Sequence, residues 1–317
     1  MKRLINRLIQ LVITLIGVSF LTFCLTYLSP GDPATMLLEA SDTIVSQEVI
    51  EQTREEMGLN DPFLVQYGNW LLGVVQGDMG ISYSAKKPVM EKLMEGFAGT
   101  VLLALTTIIL IMVISIPLGI FSATHRNKIP DFLVRIFSFI GVSMPSFWVG
   151  LILLYIFGLK LGLAPIATAK VSFSGLEVSF SGLVLPALTL AIYQSAKYTR
   201  QVRTVILDEL HQDYVIGARA RGLSEKAILW KHILPNAILP LITLLGMSIG
   251  WLLGGVAVIE TVFSWPGIGK MAVQAITMRD YPLIEGIVLW IATAYTVINF
   301  LVDLSYSYLD PRIKKEN

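Results

Sequence analysis

DELHQDYVIGARARGLSEKAILWKHILPN, residues 208–236, is the long charged segment between apolar runs that decides how this chain is organised. The segment combines helix-forming residues, charges of both signs and a turn at Gly222, so we expect it to be folded and exposed to water. Ordering such a segment costs conformational entropy that some contact must offset. A structured loop of this kind is therefore more often a docking surface than a linker.

The composition around this segment excludes a water-soluble domain. Of the 317 residues, 54% are hydrophobic and 15% are charged, whereas soluble domains carry about 25% charged residues. A bilayer core about 30 Å thick is crossed by roughly 20 helical residues. Six apolar runs approach that length: 8–28, 98–122, 132–157, 183–198, 237–259 and 283–306. The sequence therefore predicts an all-α integral membrane protein with six transmembrane helices.

Two of these runs need separate interpretation. The fourth is short and carries Thr189, Gln194 and Ser195. Polar groups facing lipid are costly, so we expect this helix to lie inside the bundle or to line a path. The first run follows a basic start but is too long for a signal peptide, and no small-residue cleavage site follows it. We therefore expect it to remain as a transmembrane helix.

The distribution of charge predicts the orientation in the membrane. Segments 1–7, 123–135, 197–236 and 307–317 together carry 16 Lys and Arg against 7 Asp and Glu. Segment 30–97 carries 4 basic and 11 acidic residues. Cytoplasmic loops are enriched in basic residues, so both termini are predicted to be cytosolic and segment 30–97 external.

The predicted organisation is one membrane domain with an outer elaboration. Helices are expected at 46–57, 63–75 and 89–97, and loop 159–182 is a candidate hairpin. Tyr67 and Trp70 suit a membrane interface. The division is an N-terminal transmembrane helix at 1–28, an external helical cap at 29–97, a five-helix core at 98–308 that contains the charged loop 205–236, and a cytosolic tail at 309–317.

The charged loop is predicted to contain a helix from 213 to 221, ended by Gly222, and a second helix at 224–234 with Ser224 as its N-cap. Its sequence resembles the loop that couples type I ABC-importer permeases to their ATPases. The resemblance is to the dipeptide, oligopeptide and nickel branch of that family. The family pattern is Glu-Ala-Ala, three residues, Gly, nine residues, and Ile-x-Leu-Pro. Ala218, Gly222, Leu234 and Pro235 keep this pattern, whereas Ile216, Gly217 and His232 depart from it as is typical of this branch.

The resemblance extends over nearly the whole chain. Segments similar to those of the family are 29–33, 58–62, 66–67, 77–82, 141–148, 260–263, 265–269, 279–282 and 310–312. Within the branch, His125-Arg126 with 130–132, the run 141–148, and 65–68 followed by Trp70-Leu71 favour the nickel permease over the peptide permeases.

The resemblance implies a type I ABC-importer permease in a bacterial inner membrane. The implied partners are a second homologous permease, two cytosolic ATPases that bind ATP and Mg, and an extracytoplasmic substrate-binding protein, with no nucleic acid. The residues assigned to ATPase coupling are Asp213, Tyr214, Gly217, Ala218, Arg219, Ala220, Arg221, Gly222 and Leu223. The small residues allow the helix to enter a groove, and the arginines can pair with acidic groups of a partner.

The third run contains a break that physical chemistry identifies independently. Pro145 removes a backbone donor and disfavours helix at Met144. Such a break is either a packing kink or a gate on the transport pathway. The pathway candidates are Ser143, Met144, Pro145, Ser146, Gln194 and Met247. In the fifth run Gly246, Gly250 and Gly254 recur every four residues and predict close helix packing.

The remaining motifs favour transport without chemistry in this chain. Segment 267–271 resembles a phosphate-binding loop but lacks its first glycine and the Ser or Thr after Lys270. We expect no catalytic residue, no bound cofactor and no stable metal site. The alternatives are a stand-alone secondary transporter or channel, which would need buried mid-membrane charges, and a membrane-embedded enzyme. Glu285 and Asp303 are the acidic residues inside the apolar runs, and both lie near run ends.

Overall fold

The structure is a computed structural model that describes residues 2–39, 46–163 and 180–309. These ranges are mostly helical and contain no strand, with one isolated bridge between Ile81 and Pro88. The all-α prediction is confirmed for this part of the chain. The candidate hairpin in loop 159–182 and the tail beyond residue 309 lie largely outside the described residues.

Fourteen helices occur along the described ranges, and two of them are extended by π-helical turns. They are α1 (Lys2–Tyr27), α2 (Pro33–Glu39), α3 (Gln47–Glu56), α4 (Phe63–Val75), α5 (Val89–Thr124), α6 (Ile129–Ser143), α7 (Ser146–Leu153, then a π-helix Leu154–Lys160), α8 (Phe180–Leu210), α9 (Asp213–Ala220), α10 (Glu225–Ile228, then a π-helix Leu229–Ile233), α11 (Leu234–Gly255), α12 (Ala257–Val262), α13 (Ile268–Thr277) and α14 (Tyr281–Leu309).

Three of the described helices are long and apolar enough to cross a membrane, in the segments Ile9–Tyr27, Val89–Thr124 and Tyr281–Leu301. The pair formed by Ile129–Ser143 and Ser146–Lys160 would add a fourth span as a broken helix, bent by 98°. The other two predicted spans lie in α8 and α11, which are helical as expected. Their crossing of the membrane stays a prediction.

The chain divides into two compact units. The first contains the described residues within 2–100 and 266–296. In this unit aromatic rings join α1 to α4. The ring centroid of Tyr67 lies 5.3 Å from that of Phe20 and 5.5 Å from that of Phe23, and the centroids of Trp70 and Phe23 are 5.7 Å apart. The Tyr67 hydroxyl also shares a 2.9 Å hydrogen bond with Ser19. Edge-to-face rings of this kind stabilise helix contacts, so α1 and α4 pack through the residues that the sequence assigned to the membrane interface.

The second unit contains the described residues within 101–265 and 297–309, and α8 is its central helix. Most side chains between residues 182 and 199 are buried, as expected for the fourth run. Glycines let neighbouring helices approach α8. A Cβ on Gly141 would lie 2.5 Å from the Ala196 Cβ, and one on Gly150 would lie 3.2 Å from Thr189 and 3.1 Å from Phe263.

Two predicted helix boundaries are wrong. The expected short helix at 89–97 is the first part of α5, because the charged residues Lys92 and Glu95 form an ion pair one helical turn apart and do not interrupt the helix. The expected second helix of the charged loop does not stop at Leu234. It continues through the π-helical turn into α11. The wider π turn precedes Pro235, which has no backbone N–H to bond to the carbonyl four residues earlier.

Candidate functional site

The charged loop is folded much as the sequence predicts. Helix α9 spans Asp213–Ala220, and Arg221 is its C-cap. Gly222 follows with φ +78°, a left-handed conformation that favours glycine. Ser224 then caps α10, where its hydroxyl oxygen accepts a 3.3 Å hydrogen bond from the Ala227 backbone N–H. The loop is therefore an ordered helix–turn–helix between α8 and α11.

The inner face of this loop is fixed to the second unit. Val215, Ala218 and Ile228 are fully buried and belong to the apolar core that includes Ile206 of α8 and Ile233 of the π turn. Burying such side chains stabilises the contact by about 0.8 kcal/mol per CH₂ group. The inner face of the loop is therefore packed against the ends of α8 and α11.

A hydrogen bond adds to this attachment at the start of α9. The Tyr214 hydroxyl donates a 2.6 Å hydrogen bond to the Glu209 carboxylate at the end of α8. Burial and the neighbouring Glu209 both raise the pKa of Tyr214, so the hydroxyl stays protonated as a donor. Helices α8 and α9 are thus joined across the turn between them.

The outer face of the loop carries apolar side chains exposed to solvent. Ile216 is 57% exposed, Leu223 40% and Trp230 60%, and Gly217 and Ala220 lie exposed beside them. Their exposure is compatible with the predicted docking role of this loop, which stays a prediction. Sequence analysis did not single out Trp230, although an exposed tryptophan in an otherwise charged loop is a recognisable signal.

The two arginines of the loop, Arg219 and Arg221, have partners within the chain. Arg219 donates two hydrogen bonds, of 2.7 and 3.1 Å, to the Glu225 carboxylate. This bonding lowers the pKa of Glu225. Arg221 Nε donates to the Gly217 carbonyl at 3.2 Å. Of the predicted coupling residues, Ala218 supports α9 from within, whereas Gly217, Ala220 and Leu223 face outward.

A buried carboxylate ties together the helices that hold the loop. Asp131, at the start of α6, is fully buried and accepts hydrogen bonds from Arg203 Nε at 2.8 Å and Arg203 Nη2 at 2.9 Å. It also accepts hydrogen bonds from Ser122 Oγ at 2.6 Å and from the Asn127 N–H at 2.9 Å. Asp131 thus joins α5, α6 and α8, which sequence analysis did not predict.

The predicted break in the third run is present. Helix α6 ends at Ser143, Met144 is extended with ψ 133°, and Pro145 is the N-cap of α7. The Ser143 hydroxyl donates to the Phe139 carbonyl at 2.8 Å. Ser143 and Pro145 are exposed in the isolated chain. The break therefore exists as a backbone feature, while its role as a gate stays a prediction.

The other predicted pathway and packing residues are only partly described. Gln194 is buried within α8, and Gly246 is buried in α11. The surroundings of Met247, Gly250 and Gly254 lie outside what the structure describes. The structure therefore does not test Met247 as a pathway candidate, nor the full glycine face of α11.

Two sequence segments that resemble the family pattern meet in the first unit. Asp280 is fully buried before α14, and its carboxylate accepts hydrogen bonds from the hydroxyls of Ser82 and Ser84, both at 2.6 Å. The backbone N–H groups of Tyr83 and Ser84 donate to it at 3.1 and 2.9 Å. Asp280 therefore holds the 82–84 loop through a set of contacts that spacing in sequence could not reveal.

A third segment joins the same region. Arg279 Nη1 and the Tyr281 hydroxyl each donate a 3.2 Å hydrogen bond to the Pro30 carbonyl. Segments 29–33, 77–84 and 279–282 are thus assembled at one place in the first unit, together with the end of α1.

These features define a multi-pass membrane protein whose folded loop is attached to its buried helices. Comparison with known proteins identifies its family. The model described as the inner membrane component of binding-protein-dependent transport systems matches residues 115–315, and the N-terminal model of the same systems matches residues 1–104. The chain belongs to this family, the inner-membrane permeases of ABC importers.

Its relatives are similar over their full length. The oligopeptide transport system permease protein AppB of Bacillus subtilis is 40% identical, with 98% of each chain covered. The dipeptide transport system permease protein DppB of Alkalihalophilus pseudofirmus is 37% identical, also with 98% of each chain covered. The glutathione transport system permease protein GsiC of Escherichia coli K12 is 35% identical, again with 98% of each chain covered.

A solved structure shows the same fold. A chain of the inward-facing MetNI methionine ABC transporter matches with a TM-score of 0.54 and 17% identity, covering 67% of this chain and 93% of that one. The type I ABC-importer permease fold expected from the sequence is therefore confirmed.

Proposed function

We propose that this chain is the permease subunit of an ATP-driven importer of short peptides. The observation that carries the proposal is the charged loop, which is fixed to the core by Val215 and Ala218 and presents Ile216 and Leu223 to solvent. Such a surface suits a protein that binds the loop and moves it. The peptide cargo is supported by the names of relatives that are 35–40% identical over nearly the whole chain.

The proposed topology has six transmembrane helices, with both termini and the charged loop in the cytosol and residues 29–97 outside. Segment 30–97 carries only 4 Lys and Arg, and this scarcity of basic residues suits an external location under the positive-inside rule. The proposed assembly contains a second homologous permease, two cytosolic ATPases that bind ATP and Mg, and an external substrate-binding protein. This chain supplies the pathway and the coupling surface and hydrolyses no ATP itself.

The proposed mechanism is alternating access driven through α9. Closure of the ATPases displaces α9, and the buried contacts at Val215, Ala218 and Ile228 carry this displacement to α8 and α11. A nucleotide state shifts the bundle only to the extent that it binds one conformation more tightly than the other. The break between Ser143 and Ser146 is the candidate gate, because a broken helix leaves backbone carbonyls free to line a path.

Gly217→Leu tests the docking surface with little effect on folding. A Cβ at Gly217 would meet no atom within 4 Å, so the larger side chain projects only toward a partner. We expect peptide-stimulated ATPase activity and peptide uptake in proteoliposomes to fall at least about tenfold, the effect of losing roughly 1.4 kcal/mol at an interface. Thr204→Leu, at an exposed site on α8, is the matched control and should leave both rates unchanged.

Two results would overturn parts of this proposal. Normal coupled transport by a fully assembled Gly217→Leu complex would remove α9 as the docking surface. Uptake of nickel ions but not of tripeptides by the wild-type complex would establish the nickel interpretation and reject peptides as cargo. Uptake by the purified chain without ATPases would instead favour a stand-alone secondary transporter or channel.

A further inference from the structure

A large cavity in the first unit has no role in the function proposed above. Its volume is about 710 Å³, and it is lined by the end of α1, by α2, by the ends and connections of α3 and α4, by the 79–83 loop and by the start of α14. Pockets that hold small organic ligands commonly measure about 300–1,000 Å³. The cavity is therefore large enough for a compact molecule of a few residues.

The walls of this cavity are held in place by the contacts already described. Tyr83 and Tyr281 both line the cavity. The Tyr83 backbone is bonded to the buried Asp280 carboxylate, and the Tyr281 hydroxyl is bonded to the Pro30 carbonyl. Preorganised walls lower the entropy that a ligand must overcome on binding.

The charged groups of the cavity leave one carboxylate without a cationic partner. Asp32 is paired with Arg54, with Oδ1 and Nε separated by 3.8 Å. Glu285 is 6% exposed and accepts a hydrogen bond from the Thr26 hydroxyl, and it has no basic partner among the described residues. A buried carboxylate of this kind is costly unless a cation or a donor compensates it. A ligand cation in the cavity would stabilise the charged form of this carboxyl group.

The remaining lining groups suit an organic cation. Aromatic rings from Phe23, Tyr27 and Trp70 line the cavity with Glu285. Aromatic faces attract ammonium groups through their quadrupoles. A ligand that offers an ammonium group satisfies the Glu285 carboxylate and places that charge beside these rings.

We propose that this cavity binds the amino-terminal end of a short peptide, with the α-ammonium group on Glu285 and the first side chain against the aromatic wall. The proposal rests on the proposed function, because it assigns a site for the same class of cargo. A phospholipid with an ammonium headgroup would also bring a phosphate, and the cavity lining holds the carboxylates of Asp32 and Glu285 against the single guanidinium of Arg54. The peptide is therefore the better match.

Direct binding to the permease tests this assignment. The full-length chain, with the subunits that purify with it but without the external binding protein, is placed in nanodiscs of phosphatidylglycerol. Binding of tritiated Phe-Ala-Ala is compared with that of its N-acetylated form. Because acetylation removes the ammonium charge, we expect it to weaken binding at least about tenfold.

Two variants locate the site. Glu285→Gln keeps the acceptor for Thr26 and removes only the charge, so it should weaken Phe-Ala-Ala binding by a similar factor and leave the acetylated peptide unaffected. Glu55→Gln removes an exposed carboxylate from α3, outside the cavity lining, and should change neither affinity.

The outcomes separate this proposal from the function on which it rests. Equal affinity for both peptides, or unchanged binding to Glu285→Gln, overturns the cavity assignment. Loss of peptide binding when phosphatidylethanolamine is added to the nanodiscs identifies a lipid headgroup as the occupant and also overturns it. If uptake of Phe-Ala-Ala with the binding protein present persists in either case, the importer proposal stands. Absence of uptake of any peptide contradicts the importer proposal itself.

Discussion

Replacing Asp131 with asparagine should destabilise the second unit by breaking the contact that joins α5, α6 and α8. Asp131 is fully buried and accepts two hydrogen bonds from Arg203, whose side chain is 18% exposed. Removing one member of a buried ion pair costs about 3–5 kcal/mol. Because Arg203 regains some water, we expect about 3 kcal/mol for Asp131→Asn, which corresponds to a melting temperature lower by roughly 5–10 °C.

The assay is thermal unfolding of the purified chain in detergent, followed by the loss of the monodisperse peak. Asp208→Asn is the matched control, since Asp208 is an exposed carboxylate near the end of the same helix α8. The double variant Asp131→Asn with Arg203→Met should cost less than the sum of the single changes, by about 1–3 kcal/mol, because the pair acts as a unit. Strict additivity, or equal melting of Asp131→Asn and Asp208→Asn, would refute the reasoning.

Three further predictions follow from local geometry. Gly222→Ala forces a side chain into a left-handed conformation at φ +78° and should cost about 1–2 kcal/mol, measured as lower thermal stability with weakened ATPase coupling. Gly141→Val places atoms where a Cβ already lies 2.5 Å from the Ala196 Cβ, and this overpacking should lower the free energy of unfolding by about 1–3 kcal/mol, whereas Gly141→Ala should have a smaller effect. The Arg219–Glu225 pair lowers the pKa of Glu225. The stabilisation from this pair is therefore complete above the usual glutamate pKa and is lost as pH falls through the lower pKa of the folded state. Glu225→Gln should lower the free energy of unfolding by less than about 1 kcal/mol at pH 7, and the difference in stability between this variant and the wild type should vanish in strong acid.

Local signals in the sequence were sufficient for several elements. Helix α4 has the predicted bounds because its apolar residues follow Pro62, a strong start signal. Helix α9 ends before Gly222 because a left-handed residue terminates it. The break before Pro145 follows from proline chemistry alone. In each case the determining residues lie within one or two helical turns of the feature that they specify.

Contacts between distant residues could not be predicted in this way. Arg203 bonds to a carboxylate 72 residues earlier, and Ser82 bonds to one 198 residues later. The amino-acid types are ordinary, and only the folded chain brings them together. The cavity containing Glu285 was missed for the same reason, because its lining comes from five separate parts of the first unit. The sequence indicated a special role for Glu285 only weakly, because Glu285 is an acidic residue inside an apolar run.

The π-helical turn at Leu229–Ile233 also changes the angular positions of the α11 side chains around the helix axis. A π turn accommodates one more residue than an α turn, and one residue corresponds to about 100° of rotation in an α-helix. A helical wheel drawn continuously from Glu225 through Gly255 therefore assigns the wrong side of α11 to its neighbours. Deleting one residue from this turn should convert it to an ordinary α turn and leave the same faces of α11 against α8. Deleting one residue from the regular part of α11 would instead rotate the residues that follow by about 100°. The five-residue π segment is therefore the place where this helix tolerates a change in length.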